Sequence, residues 1–145
     1  MPIAAYDASN VFARILRGEL PAERLLEDAE TLAFMDIMPR VKGHALVVPK
    51  APVRNVLDAG PEHLAAVMRT VQRIARAQLA AFNADGITIQ QFNEPAGGQV
   101  VFHLHVHVMP RWEGVRLEPH TGRMEQREVL AENASAIRAA LAKLG

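Results

Sequence analysis

The sequence predicts an α+β domain built on a mainly antiparallel five-stranded sheet. Three observations carry that prediction: five short segments with strand character, one long stretch of helical periodicity between the third and the fourth, and short turns elsewhere. A short helix precedes the strands and another helix closes the chain. Half of the 145 residues are apolar, enough for one domain with its own core, so 1–145 reads as a single unit with a core over about 10–112 and a helical tail over about 113–145.

The elements follow in order. In "SNVFARILRGEL", Ser9 or Asn10 can cap a short helix on which Phe12, Ile15 and Leu16 share a face, and Gly18 stops it. "ERLLED" and "TLAFMDI" read as two short strands about a turn at Asp28–Glu30, and "HALVVPK" as a third that ends at a proline. From Pro61 the period changes. Leu64, Val67, Met68, Val71, Ile74, Ala75, Leu79 and Phe82 recur at three and four, which describes a long amphipathic helix. "DGITIQQFN" alternates like a strand, "NEPAGGQ" is a glycine-bearing loop, and "VFHLHVHVM" alternates most regularly of all. Leu130, Ala134, Ile137, Leu141 and Leu144 mark the last helix.

Bulk composition narrows the function classes. Sixteen basic residues balance sixteen acidic ones, so no net field draws in a nucleic-acid polymer or an anionic membrane, and any preference for phosphate must be local. With no cysteine, disulfides, thiol nucleophiles and Cys-ligated zinc are excluded. The start, "MPIAAYDASN", has no basic stretch or long apolar run, and no window approaches the roughly 18 apolar residues of a membrane span. A cytoplasmic domain with no membrane partner is the expectation.

The row "VFHLHVHVM" carries the chemistry. On a strand, Phe102, Leu104, Val106 and Val108 point to one side and His103, His105 and His107 to the other, about 6.6 Å apart along the backbone. Three readings compete: a solvated strand face, a zinc site and a phosphoryl-transfer site. A strand face normally carries Thr, Lys or Glu rather than three of a chain's six histidines. Zinc would need a further ligand and a supporting carboxylate from elsewhere, since this strand offers none. Phosphoryl chemistry needs only what is present, a neutral imidazole to attack and a neighbour to donate a proton. That pairing predicts a bell-shaped rate profile near neutrality. The adjoining Gly97-Gly98-Gln99 can turn backbone N–H groups towards an anion as a small nest. No metal or other cofactor is expected.

"HLHVHVM" resembles the signature of the histidine triad (HIT) nucleotide hydrolases and transferases. The likeness runs from "VFARILRGELPAERLLEDAETLAFMDIMPRVKGHALVVPK" to "FNEPAGGQVVFHLHVHVMPRW", about two-thirds of the chain, and the order of these segments is more specific than the triad alone. The resemblance implies a HIT-like fold, a homodimer, and a purine nucleoside monophosphate or nucleotide conjugate as ligand. It implies His105 as the nucleophile at the α-phosphorus, His107 as the proton donor to phosphate or leaving group, and His103 and His44 as members of the same network. It places Asp36 on the ribose hydroxyls, Phe12, Ile15, Phe34 and Ile37 around the base, and Asn93, Gly98 and Gln99 at the phosphate. The implied activity is cleavage of a nucleoside 5′-phosphoramidate through a nucleotidyl-histidine. Dinucleoside polyphosphate cleavage or phosphorolysis, or a regulatory nucleotide-binding module, are the alternatives. Val100 departs from the pattern, in which a hydroxyl residue follows Gly-Gln. Trp112 reads as packing or interface, His63 as exposed on the long helix, and His120 matches nothing.

Overall fold

The computed structural model describes residues 3–119 and 122–145; His120 lies outside them. Helix α1 (Val11–Leu16) precedes strands β1 (Arg24–Glu27), β2 (Thr31–Met35) and β3 (Ala45–Pro49). Helix α2 (Pro61–Phe82) crosses to β4 (Gly86–Gln90), a 3₁₀ turn at Pro95–Gly97 leads to β5 (Val106–Arg111), and α3 (Arg127–Leu144) follows. The sheet order is β1-β2-β3-β5-β4, antiparallel at every pairing. The α+β architecture expected from the sequence is the one observed.

Of the two possible caps on α1, Asn10 is the one used, its side chain accepting from the Ala13 N–H. On one face of the sheet, Ala33, Met35, Ala45, Val47, Val106 and Val108 pack against α2 and α3. Gln78 of α2 is buried there and donates to the Gly43 and Val108 carbonyls, which fixes the helix against the β5 backbone. Gly43 sits at φ +81°, and a Cβ there would come 2.5 Å from the Phe82 ring, so this turn requires glycine. On the opposite face Leu32, Phe34, Leu46 and Val48 meet Phe12 and Ile15 of α1.

The histidine strand is shorter than its alternation suggests. β5 starts at Val106, and residues 101–105 are irregular, so only His107 of the three lies in the ladder. The ladder with β3 ends where Val47 pairs with Val106. Lys50 N–H points to β2, where it bonds Glu30 O, so the neighbouring Pro49 faces β5 without a donor. Its carbonyl takes the His103 ring instead, and Leu104 N–H turns to Val53 O. The expected inward set is also revised: Leu104, Val106 and Val108 are buried, but Phe102 is only half-buried and lies under the Arg54 guanidinium, 4.1 Å from the ring centroid.

His63 is not simply exposed: its Nδ1 accepts from Gly60 N–H and closes the first turn of α2. Trp112 packs, donating from Nε1 to Phe82 O. Among the described residues no helix is long and apolar enough to cross a membrane.

Candidate active site

All four expected histidines come together, and all four are buried. The rings of His105 and His107 lie 5.1 Å apart, as do those of His107 and His44. A solvated row on a strand face is therefore not what forms. The site is a covered array held by its own hydrogen bonds.

Those bonds fix the position of each proton, because backbone partners have only one role. A carbonyl can only accept. His103 Nε2 must therefore donate to Pro49 O (2.8 Å), and His105 Nδ1 must donate to His103 O (2.7 Å). The lone pair of neutral His105 is thereby left on Nε2. A backbone N–H can only donate, so Arg40 N–H (3.0 Å) makes His44 Nδ1 an acceptor and puts the His44 proton on Nε2. That proton is directed at His107 Nδ1 (2.9 Å), which leaves His107 with its own proton on Nε2. One ring thus bears an available lone pair, and its neighbour bears an N–H supported from behind. Burial disfavours charge on two of the rings, pushing the His105 pKa down to about 4 and lowering that of His103.

The remaining expected residues surround this array. Phe12 stands edge-on to the His105 ring, centroids 4.8 Å apart, and meets Phe34 at 5.4 Å. Ile15 is buried beside them, whereas Ile37 is exposed just beyond β2. Asp36 accepts from Met38 N–H and reaches to 3.5 Å from His44 Nε2. Burial pushes its pKa up to about 6, with the Met38 bond acting the other way. Asp36, His44 and His107 each place one ligand-type atom within 4.8 Å of the others, so the carboxylate that β5 lacks arrives from the end of β2. The proton on His44 Nε2 opposes metal ligation there, because moving it to Nδ1 would set two donors, Nδ1–H and Arg40 N–H, against each other.

The loop before the histidines differs from the expected nest. The N–H groups of Gly97, Gly98 and Gln99 already donate to the carbonyls of Glu94, Pro95 and Glu94. The Gln99 side chain is also fully engaged, accepting from Asn55 Nδ2 and Glu94 N–H and donating to Arg54 O and Val101 O. Gln99 therefore ties the loop down rather than offering donors to an anion. Asn93 braces the same loop through Val56 N–H and Gln91. Gly98 at φ +97° lets the chain pass over Phe92, whose ring lies 5.7 Å from His107.

Several contributors were not apparent in the sequence. Arg54 forks onto Glu94 (2.7 and 3.1 Å) beneath the loop, and Tyr6 reaches His103 Nδ1 at 2.6 Å. Neither sits in a motif. The only sequence signal is a lone tyrosine four residues before a helix cap. A cavity of about 710 Å³ lies elsewhere, between Lys42, Phe82, Trp112, Leu130 and Asn133, and none of the four histidines lines it. The side-chain chemistry locates the site, not this hollow.

An antiparallel five-stranded sheet carrying a buried, mutually bonded histidine array defines a histidine triad protein. The HIT domain family matches residues 17–114, and the chain belongs to it. A HIT-like protein involved in cell-cycle regulation from Bartonella henselae has a similar structure, with a TM-score of 0.88 and 51% identity, covering 94% of this chain and 99% of that one. A zinc-bound histidine triad family protein from Mycobacterium smegmatis is 40% identical at a TM-score of 0.84, covering 94% and 95%. Adenylylsulfatase HINT3 of Arabidopsis thaliana is 33% identical over 122 residues, 80% of this chain and 62% of that protein.

Proposed function

We propose that the protein is a nucleotide hydrolase or transferase that cleaves a nucleoside 5′-phosphoramidate, or a related nucleotidyl bond, through a covalent intermediate on His105. One observation carries this reading: His105 Nδ1–H is pinned to the His103 carbonyl, so its lone pair sits on Nε2. In the first step that lone pair forms a bond to the α-phosphorus and the bond to the leaving group breaks. The His44–His107 pair, having taken up one proton with the anionic nucleotide, passes the His107 Nε2 proton to the departing nitrogen or oxygen and is left neutral. In the second step water attacks the phosphorus and returns a proton to His107. The His105–phosphorus bond breaks and its electron pair returns to Nε2.

The nucleoside is held at the side of the array. Ionised Asp36 is an acceptor-only group suited to the two ribose hydroxyls, and Phe12, Ile15, Phe34 and Ile37 flank the base. Asn93 stands at the phosphate with one amide proton beyond those its intramolecular bonds use. The relative named an adenylylsulfatase supports a nucleotidyl substrate. Arg54 is engaged by Glu94, and Val100, 82% exposed, offers no hydroxyl, which favours an uncharged leaving group over a polyphosphate.

His105→Gly tests the assignment. Turnover of adenosine 5′-phosphoramidate should fall by about 10³-fold or more while adenosine monophosphate still binds within a few-fold of the parent affinity. Near-parental turnover by this variant rules out the nucleophile. A second reading, zinc on Asp36, His44 and His107, is favoured by their closeness and by the zinc-bound mycobacterial relative. Stoichiometric zinc in the purified protein, with activity lost on chelation, would support it over the metal-free mechanism.

A further inference from the structure

The nucleophile's orientation depends on a peptide carbonyl, that of His103, which lies in the irregular stretch before β5 and has no sheet ladder to hold it. The same peptide donates its Leu104 N–H to Val53 O, and the remaining anchors come from the His103 ring. The His103 ring is anchored at both nitrogens: Nε2 donates to Pro49 O, and Nδ1 meets the Tyr6 hydroxyl at 2.6 Å. Because Nε2 bears the ring proton, Nδ1 is an acceptor and the phenol must donate to it. The hydroxyl is oriented in turn, since Asn10 Nδ2 donates to its oxygen at 3.1 Å and so directs its proton towards the imidazole. The two rings also meet edge to face, with centroids 5.6 Å apart.

Asn10 does two things at once. Its Oδ1 caps α1 through Ala13 N–H while its Nδ2 holds Tyr6. The same helix places Phe12 against the His105 ring and against Phe34. A continuous path of contacts therefore runs from the wall flanking the base, through the helix cap and the phenol, to the carbonyl that aims the attacking nitrogen. Tyr6 and Asn10 both precede the residues matched by the family, 17–114.

We propose that Tyr6, oriented by Asn10, is a positioning residue that holds the His103 carbonyl in place for the His105 nucleophile and couples it to the helix flanking the base. This rests on the assignment of His105 as nucleophile. Tyr6→Phe keeps the ring contact and removes only the hydroxyl. Asn10→Asp keeps a good helix cap but substitutes an acceptor that draws the phenol proton away from His103.

Nitrogen-15 spectra of the imidazoles report the hydrogen bonds of the free protein, and kinetics on adenosine 5′-phosphoramidate report function. In both variants the His103 Nδ1 resonance should shift and the His105 Nδ1 proton should exchange with solvent at least about tenfold faster, with kcat falling about tenfold and KM changing less than about twofold. A purely structural role would lower the thermal midpoint without that split. Parental His105 exchange and kcat in either variant, with the His103 resonance shifted, overturns the proposal. A parent protein inactive on every nucleotide conjugate would sink the hydrolase reading, but the exchange measurement would still decide the role of Tyr6.

Discussion

His105 and Asp36 are pushed in opposite directions by the same cause, burial, and the consequences separate on the pH scale. With its pKa near 4, His105 is unprotonated throughout the neutral range, whereas Asp36, near 6, loses its charge on mild acidification. The acid limb of the rate profile therefore moves away from neutrality, unlike the profile an ordinary imidazole would give. As pH falls through about 6, KM should rise because a protonated Asp36 is a poorer acceptor for the ribose hydroxyls, while kcat should hold until about pH 4. Initial rates between about pH 4 and 8 would show this, and parallel decline of kcat and 1/KM near 6.5 would contradict it. Stability follows by linkage. The folded pKa of Asp36 lies above its ordinary 3.8, so this group favours the folded state increasingly as pH falls from about 6 towards 3.8. That of His105 lies below 6.5, so the unfolded chain takes its proton first and stability is lost as pH falls from 6.5 through about 4. Asp36→Asn removes only the first effect, so denaturation midpoints of this variant should fall more steeply between those limits than the parent's.

At the scale of elements, the loop from Asn93 to Gln99 and the segment 101–105 hold the machinery, and both are built on exceptions to regular structure. Gly98 is one: its φ of +97° is costly for any side chain, and a Cβ would stand 3.2 Å from Phe92 Cδ1. Gly98→Ala is expected to cost about 1–3 kcal/mol of stability and, by pressing Phe92 towards His107, to lower kcat. Urea titration and steady-state kinetics check both; an unchanged kcat would show that the Phe92–His107 contact is not tight. The regular elements were legible in the sequence. The apolar positions of α2 and the alternation of β4 state their period directly, and Asn10 and Pro61 mark helix starts. The histidine segment misled because its alternation continues through residues whose backbone has left the sheet. Pairing depends on the neighbouring strand, and it was the missing donor of Pro49, 54 residues away from His103, that ended it. The gathering of His44 and Asp36 with His107 followed from the family resemblance, since nothing local in "MDIMPRVKGH" shows which strand it will face. Arg54 and Glu94 were invisible for the same reason, being 40 residues apart in the chain and joined only by the fold.

At the scale of the whole molecule, Arg40 links three regions that are distant in sequence. Its N–H sets the His44 proton, its carbonyl accepts from Glu118 N–H, and its side chain donates to Glu118 O and to Gln90 of edge strand β4. Glu125 N–H bonds Ile37 O close by, so the segment between β5 and α3 is fastened to the turn that carries Asp36 and Ile37. The chain past β5 thus braces the nucleoside side of the site from outside, although no residue of it belongs to the histidine array. Arg40→Ala keeps the N–H bonded to His44 but removes the side-chain bonds to Glu118 and Gln90, each worth about 0.5–1.5 kcal/mol. Amide exchange at Glu118 and Glu125 should quicken by about tenfold or more, reporting local opening rather than global unfolding. Nucleotide affinity should weaken more than kcat, because Asp36 and Ile37 lose their support while the His44–His107 pair keeps its protons in place. Measured together, exchange and kinetics discriminate: a fall in kcat with unchanged affinity would mean that the side chain serves the proton relay, and the bracing role assigned to the tail would be wrong.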